Sequence, residues 1–182
     1  QRGQAKKGTT EVREQISEKL AEQIRAEPNA FLRQEIVRAL AECDTPQAAK
    51  ILRAGLNDEN VDVQIQCCRG WGKWGTDESV SVLGEVLDNK HAATDLKIAA
   101  IDALQASGRP QGATFLVSLL DKREDPALQY RALEALQKIT GQNLLDNQEA
   151  WQAYVAEEIE KSLAVEAKRG PSTVDRTFFG WR

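Results

Sequence analysis

Four stretches of this chain superimpose with small offsets: LRQEIVRALAEC from Leu32, VQIQCCRGWGKW from Val63, LKIAAIDALQAS from Leu96 and LQYRALEALQKI from Leu128. The equivalent positions Ala39, Gly70, Ala103 and Ala135 lie 31, 33 and 32 residues apart, the length of one helix pair with two turns. A unit of that size cannot bury its apolar face alone, so a period in this range requires neighbours to stack into a solenoid. Solenoids act as grips and spacers far more often than as catalysts. The repeat constrains the architecture strongly and the ligand hardly at all.

Helix punctuation falls where the repeat needs it. Thr45 before Pro46 reads as an N-cap with proline in the first turn, Thr76-Asp77-Glu78 places two acids at a helix start, and Pro110 and Asn147 open the next two helices. Each of these marks the second helix of a pair. The expected fold is all-α: a leading helix over 10–26, then pairs at 30–43 with 45–57, 61–74 with 76–88, 94–107 with 110–122, and 126–139 with 147–165. That is an α-α superhelix of about four helix pairs with an N-terminal capping helix. In the cap, Val12, Ile16, Leu20 and Ile24 recur every four residues on an otherwise charged surface. The expected organisation is a flexible tail over 1–9, a repeat domain over 10–166 and a C-terminal tail over 167–182.

A small-residue, Leu-rich first helix, a Thr-Pro or Gly-Thr-Asp turn, and a second helix such as TPQAAKILRAGLND or TDESVSVLGEVLDN together resemble the HEAT-like repeats of the phycobilin-lyase type. The resemblance covers about residues 30–165, and ITGQNLLDNQEAWQAYV is similar to the closing repeat of bacterial proteins of this group. It implies a HEAT/armadillo-like solenoid with the first helices on the convex side and the second helices lining the concave side. It implies no activity, because function resides in sites rather than folds.

Charge narrows the partners. The net charge is −4, yet residues 1–8 carry +3 and residues 161–182 carry +3, which leaves −10 on the body between them. Nucleic-acid binding draws most of its affinity from Lys and Arg neutralising phosphates, so an acidic body argues against it. The basic ends read as solvated tails. No apolar run approaches the roughly 20 residues of a bilayer span, and QRGQAKKG has no apolar stretch like that of a secretory signal. The chain contains no Met, which points to a processed protein or an excised fragment.

The residues that could carry chemistry mostly fall on packing columns of the repeat. Cys67 aligns with Ile36, Ala100 and Ala132; Cys68 with Val37, Ile101 and Leu133; Cys43 with Trp74, Ser107 and Ile139. A free Cys at such a position behaves as a small hydrophobe, and no spacing here matches a zinc site. Three unpatterned thiols also fit a reducing, cytoplasmic compartment. His91 is the single histidine, in the loop Asp88-Asn89-Lys90-His91, and one histidine cannot make the paired His-Glu ligands of the iron hydroxylase relatives of this repeat type. In Gly70-Trp71-Gly72-Lys73-Trp74-Gly75, Trp71 shares a column with Leu40, Leu104 and Leu136, so the rings are expected to fill space beside helical glycines. No catalytic, metal or cofactor site is expected.

A partner most naturally lies on the concave surface. Projecting the second helices outward from their apolar columns leaves Lys50, Arg53, Ser81, Glu85, Thr114, Ser118, Trp151 and Tyr154 as candidate lining residues. That mixture suits a peptide or protein surface. The expected function is a non-enzymatic scaffold that binds a protein or peptide there. The alternative is a bilin-lyase-like or enzyme accessory subunit holding a tetrapyrrole or other ligand in the concave groove. Phe178, Phe179 and Trp181, beyond the break at Gly170-Pro171, form a second candidate contact or the start of a following segment.

Overall fold

The computed structural model describes the backbone of residues 2–121 and 125–169, and the side chains of these residues apart from 2–9, 159 and 162–169. Phe178, Phe179 and Trp181 lie outside the described residues. All regular structure described is helical: α1 (Arg2–Ala26), α2 (Ala30–Cys43), α3 (Pro46–Gly55), α4 (Val61–Trp74), α5 (Asp77–Asp88), α6 (Thr94–Ser107), α7 (Gly112–Ser118), α8 (Pro126–Thr140) and α9 (Gln148–Arg169). The chain forms an α-α superhelical solenoid, with α2, α4, α6 and α8 as first helices and α3, α5, α7 and α9 as second helices.

The helix starts are set by side chains that satisfy the unpaired N–H groups of a first turn. Asn29, Thr45, Asn60, Thr76 and Asp125 each accept from such groups at the heads of α2, α3, α4, α5 and α8. Asn147 does the same for α9 through the Ala150 N–H. At α5 the arrangement is reciprocal, Ser79 accepting from the Thr76 backbone. α7 departs from expectation. Pro110 does not open it: a tight turn comes first, in which Gly112 and Ala113 donate to the carbonyls of Arg109 and Pro110. Without a side-chain cap, α7 covers only Gly112–Ser118 of the expected 110–122. α1 starts at Arg2 rather than at Thr10, and α9 runs on to Arg169.

The first helices end alike. Gly75, Gly108 and Gly141 close α4, α6 and α8 in the left-handed conformation, with φ of 57°, 63° and 72°. There a side chain would crowd the backbone. α2 makes the same turn at Asp44, φ 48°, and so carries a strain the other three avoid.

The core is continuous along the stack. Leu40, Trp71, Leu104 and Leu136, equivalent in the repeat, are all buried, as are Cys43, Cys67 and Cys68. Burial disfavours the thiolate and pushes the Cys68 thiol up to about 12, with Cys67 raised by the same cause. Trp74 packs edge-on against Trp71 at 5.0 Å and donates its indole N–H to the Ala41 carbonyl at 2.8 Å. Gly72 makes the closest approach of a described glycine to another helix's backbone: a Cβ there would stand 2.8 Å from Cα, Cβ and O of Ala103. Its glycine lets α4 lie directly against the backbone of α6.

The two helix rows are spaced differently. α4 packs extensively on both α2 and α6, whereas α3 and α5 barely approach each other. The first helices are therefore the closely packed row and the second helices the more widely spaced one. At the N-terminal end α1 lies against α2 and α3, burying Ser17 and Ala21. Its expected stripe is only half used: Leu20 and Ile24 pack on the core, while Val12 and Ile16 stay exposed.

Candidate protein interface

On the second helices, Lys50, Arg53, Ser81, Glu85, Thr114 and Ser118 are exposed. The structure joins two of them: the Arg53 guanidinium donates to both carboxylate oxygens of Glu85, at 2.9 and 2.8 Å, bridging the gap between α3 and α5. Ser118 turns its hydroxyl back onto the Phe115 carbonyl at 2.7 Å. Lys50, Ser81 and Thr114 form no cluster with them. Trp151, expected to line this surface, is instead completely buried and donates its indole N–H to the Leu145 carbonyl at 2.9 Å. It anchors the loop before α9, and Tyr154 stands edge-on to it, half-buried. Neither ring is presented as an anchor for a partner. The two residues lie on the helix that closes the stack, where a large side chain is needed to cover the last core layer.

The first helices present a different surface. Phe31 on α2 and Tyr130 on α8 are 65% and 69% exposed, and Leu32 and Val61 are exposed as well. Among the described residues, no large apolar side chain of α3, α5, α7 or α9 is exposed. Leu32 shows why: its equivalents Val63, Leu96 and Leu128 are buried by the preceding repeat, and α1 does not extend over it, leaving it 46% exposed. Sequence reasoning passed over these residues because it looked for anchors on the second helices. A signal was there in the columns. Phe31 aligns with Asp62, Asp95 and Ala127, so its position is a surface one, and Tyr130 aligns with Gln34, Ile65 and Ile98.

Charges tie the first helices together across the same surface. Lys73 of α4 pairs with Glu42 of α2, and Arg131 of α8 pairs with Asp102 of α6 and with Glu134. Between α4 and α6 lies an open recess of about 280 Å³, lined by Ile65, Arg69, Asp95, Ile98, Ala99 and Asp102. A second recess, of about 370 Å³, sits among the loops beside His91, whose side chain is exposed.

Among the described residues the deepest ion pair, in the first repeat, is structural. Arg33 of α2 reaches Asp58 through Nε and Nη2 at 2.9 and 2.8 Å, and its Nη1 donates to the carbonyls of Glu27 and Pro28. Burial works against the Asp58 charge, but the hydrogen bonds from Arg33 and from the Asn60 N–H outweigh it and hold the carboxyl below its usual range. This clamp fastens the loop before α2 to the loop after α3. Among the described residues no three His, Cys, Asp or Glu side chains gather as metal ligands, and no helix is long and apolar enough to cross a membrane.

Comparison with known proteins agrees with this architecture. A family model of HEAT repeats matches residues 17–94. The structure of human deoxyhypusine hydroxylase in complex with glycerol superimposes with a TM-score of 0.60 at 19% identity, over 69% of this chain and 44% of that one. The chain thus spans less than half of that protein, and at this identity the likeness is one of fold. No curated protein matches the sequence.

Proposed function

We propose that this HEAT-like repeat protein is a binding scaffold that holds a protein or peptide against its row of first helices. The observation that carries the reading is the distribution of exposed apolar side chains: Phe31, Leu32, Val61 and Tyr130 stand on first helices, while the second-helix row offers polar residues, two of them already paired. Exposed aromatic and aliphatic side chains are what a protein partner buries at the centre of an interface. The second-helix set from Lys50 to Ser118 is the competing surface.

The test compares two double variants in capture of a partner from native lysate. Phe31→Ser with Tyr130→Ser is expected to abolish capture, while Arg53→Ala with Glu85→Ala leaves it intact. All four positions are exposed, so each change alters stability by only about 0.5 kcal/mol. Loss from the Arg53 and Glu85 pair alone would return binding to the second helices; loss from neither would overturn the scaffold reading. Absorbance after incubation with a bilin tests the tetrapyrrole alternative, and a chromophore that stays bound would count against the proposal.

A further inference from the structure

Apolar floor and unpaired charges coincide in the recess between α4 and α6. Ile65, Ile98 and the buried Ala99 form the floor, the two isoleucines partly open to solvent. Arg33, Arg38, Arg53, Arg109 and Arg131 of the repeats each pair with a carboxylate. Arg69 makes none of these pairs among the described residues; its one hydrogen bond is to the Gln66 amide oxygen, a long 3.4 Å. Asp95, exposed in the first turn of α6, has no cation within ion-pair distance among the described residues, whereas the other acid of the recess, Asp102, is taken by Arg131.

The repeat places these groups along the groove. α4 and α6 are equivalent and parallel, with Asp95 aligned to Asp62, so Arg69 stands seven residues further along the shared direction. At 1.5 Å per residue that is about 10 Å, two helical turns, and Ile65 and Ile98 lie between the two levels. The groove therefore has an acidic end at Asp95, an apolar middle, and a far end where Arg69 stands level with Asp102, whose charge Arg131 takes up.

We infer that this recess receives an amphipathic helix of a partner protein. The helix presents one apolar side chain to Ile65 and Ile98, a Lys or Arg to Asp95 and, two turns away on the same face, an Asp or Glu to Arg69. A helix laid between two parallel helices presents residues at such intervals to the groove, and complementary rim charges set which helix is accepted. This inference rests on the scaffold reading and names the partner element for that same helix row.

Three blocked helical peptides test it on the full chain, each with one Leu between two charged positions seven residues apart: one Glu and one Lys, two Glu, or two Lys. The native protein is expected to bind the mixed peptide about three- to tenfold more tightly than either other, since rim pairs contribute modestly and mismatched ones repel. Arg69→Glu is expected to transfer the preference to the two-Lys peptide, and Asp95→Lys to the two-Glu peptide. Both residues are exposed, so neither change threatens folding. Equal binding of all three peptides, or preferences that the two variants leave unmoved, would overturn the inference. Failure of every peptide would do so too. The scaffold reading fails separately, when Phe31→Ser with Tyr130→Ser leaves partner capture unchanged.

Discussion

The two rows of helices solve the same packing problem with different means. The first helices, 14, 14, 14 and 15 residues long, approach closely enough for Gly72 to lie on the backbone of Ala103, and three of the four end in a left-handed glycine. The second helices α3, α5 and α7 are shorter, at 10, 12 and 7 residues, and α3 meets α5 mainly through the long side chains of Arg53 and Glu85. At Gly84 of α5 the close neighbour is the Phe115 ring, not backbone. Successive repeats thus approach most closely along the first-helix row, while the second helices reach the next repeat largely through its first helix.

Paired substitutions test that division, and the largest expected effect is at the glycines. Gly72→Ala drives a methyl group into the α6 backbone and is expected to destabilise by about 2 to 3 kcal/mol. Gly84→Ala meets a ring that can swing aside, and the better helix propensity of Ala offsets part of the loss, so its effect is expected below about 1 kcal/mol. Urea unfolding of the two variants measures the difference. Equal losses would mean that the rows share cohesion.

Next is the clamp inside the first repeat. Asp58→Ala leaves Arg33 without its bidentate partner and is expected to remove about 2 kcal/mol at neutral pH. Because the folded carboxyl titrates below its ordinary value of 3.8, its contribution is complete above that pH and disappears as pH falls through the lower folded value. Unfolding midpoints measured from pH 6 downward should therefore converge between native protein and Asp58→Asn. A gap that persists in acid would remove the ion pair as its cause.

Smaller effects refine the picture. Asp44→Gly gives α2 the same terminus as its three counterparts and is expected to gain about 0.5 to 1 kcal/mol, seen as a higher Tm. Smallest of all, Arg53→Ala with Glu85→Ala removes an exposed bridge between second helices and is expected to shift stability by less than about 0.5 kcal/mol. A larger loss would show that the splayed row carries cohesion after all.

Much of this fold was legible because the signals are local. Thr45, Thr76 and Asn147, read as helix starts, each sit one residue before a helix, and column alignment placed Cys67, Cys68 and Trp71 in the core. What depends on distance between repeats was not. The close packing of the first helices follows from how near two backbones come at Gly72, which a column of small residues permits but does not reveal. Trp151 was misplaced because an aromatic on a terminal helix reads alike whether it caps the core or awaits a partner. Pro110 misled by its type, since the turn through Arg109 and Gly112 precedes the helix it was expected to start.

The splay between α3 and α5 has a mechanical consequence. A stack joined most closely along one edge behaves like a book bound at its spine: the covers can fan open or shut while the spine keeps its shape. Low-energy bending is then concentrated in the second-helix edge, where few atoms must be separated. The spine side stays stiff, so a partner docking there loses little freedom of its host on association, and the affinity of that face is set by its chemistry rather than by the work of holding it still.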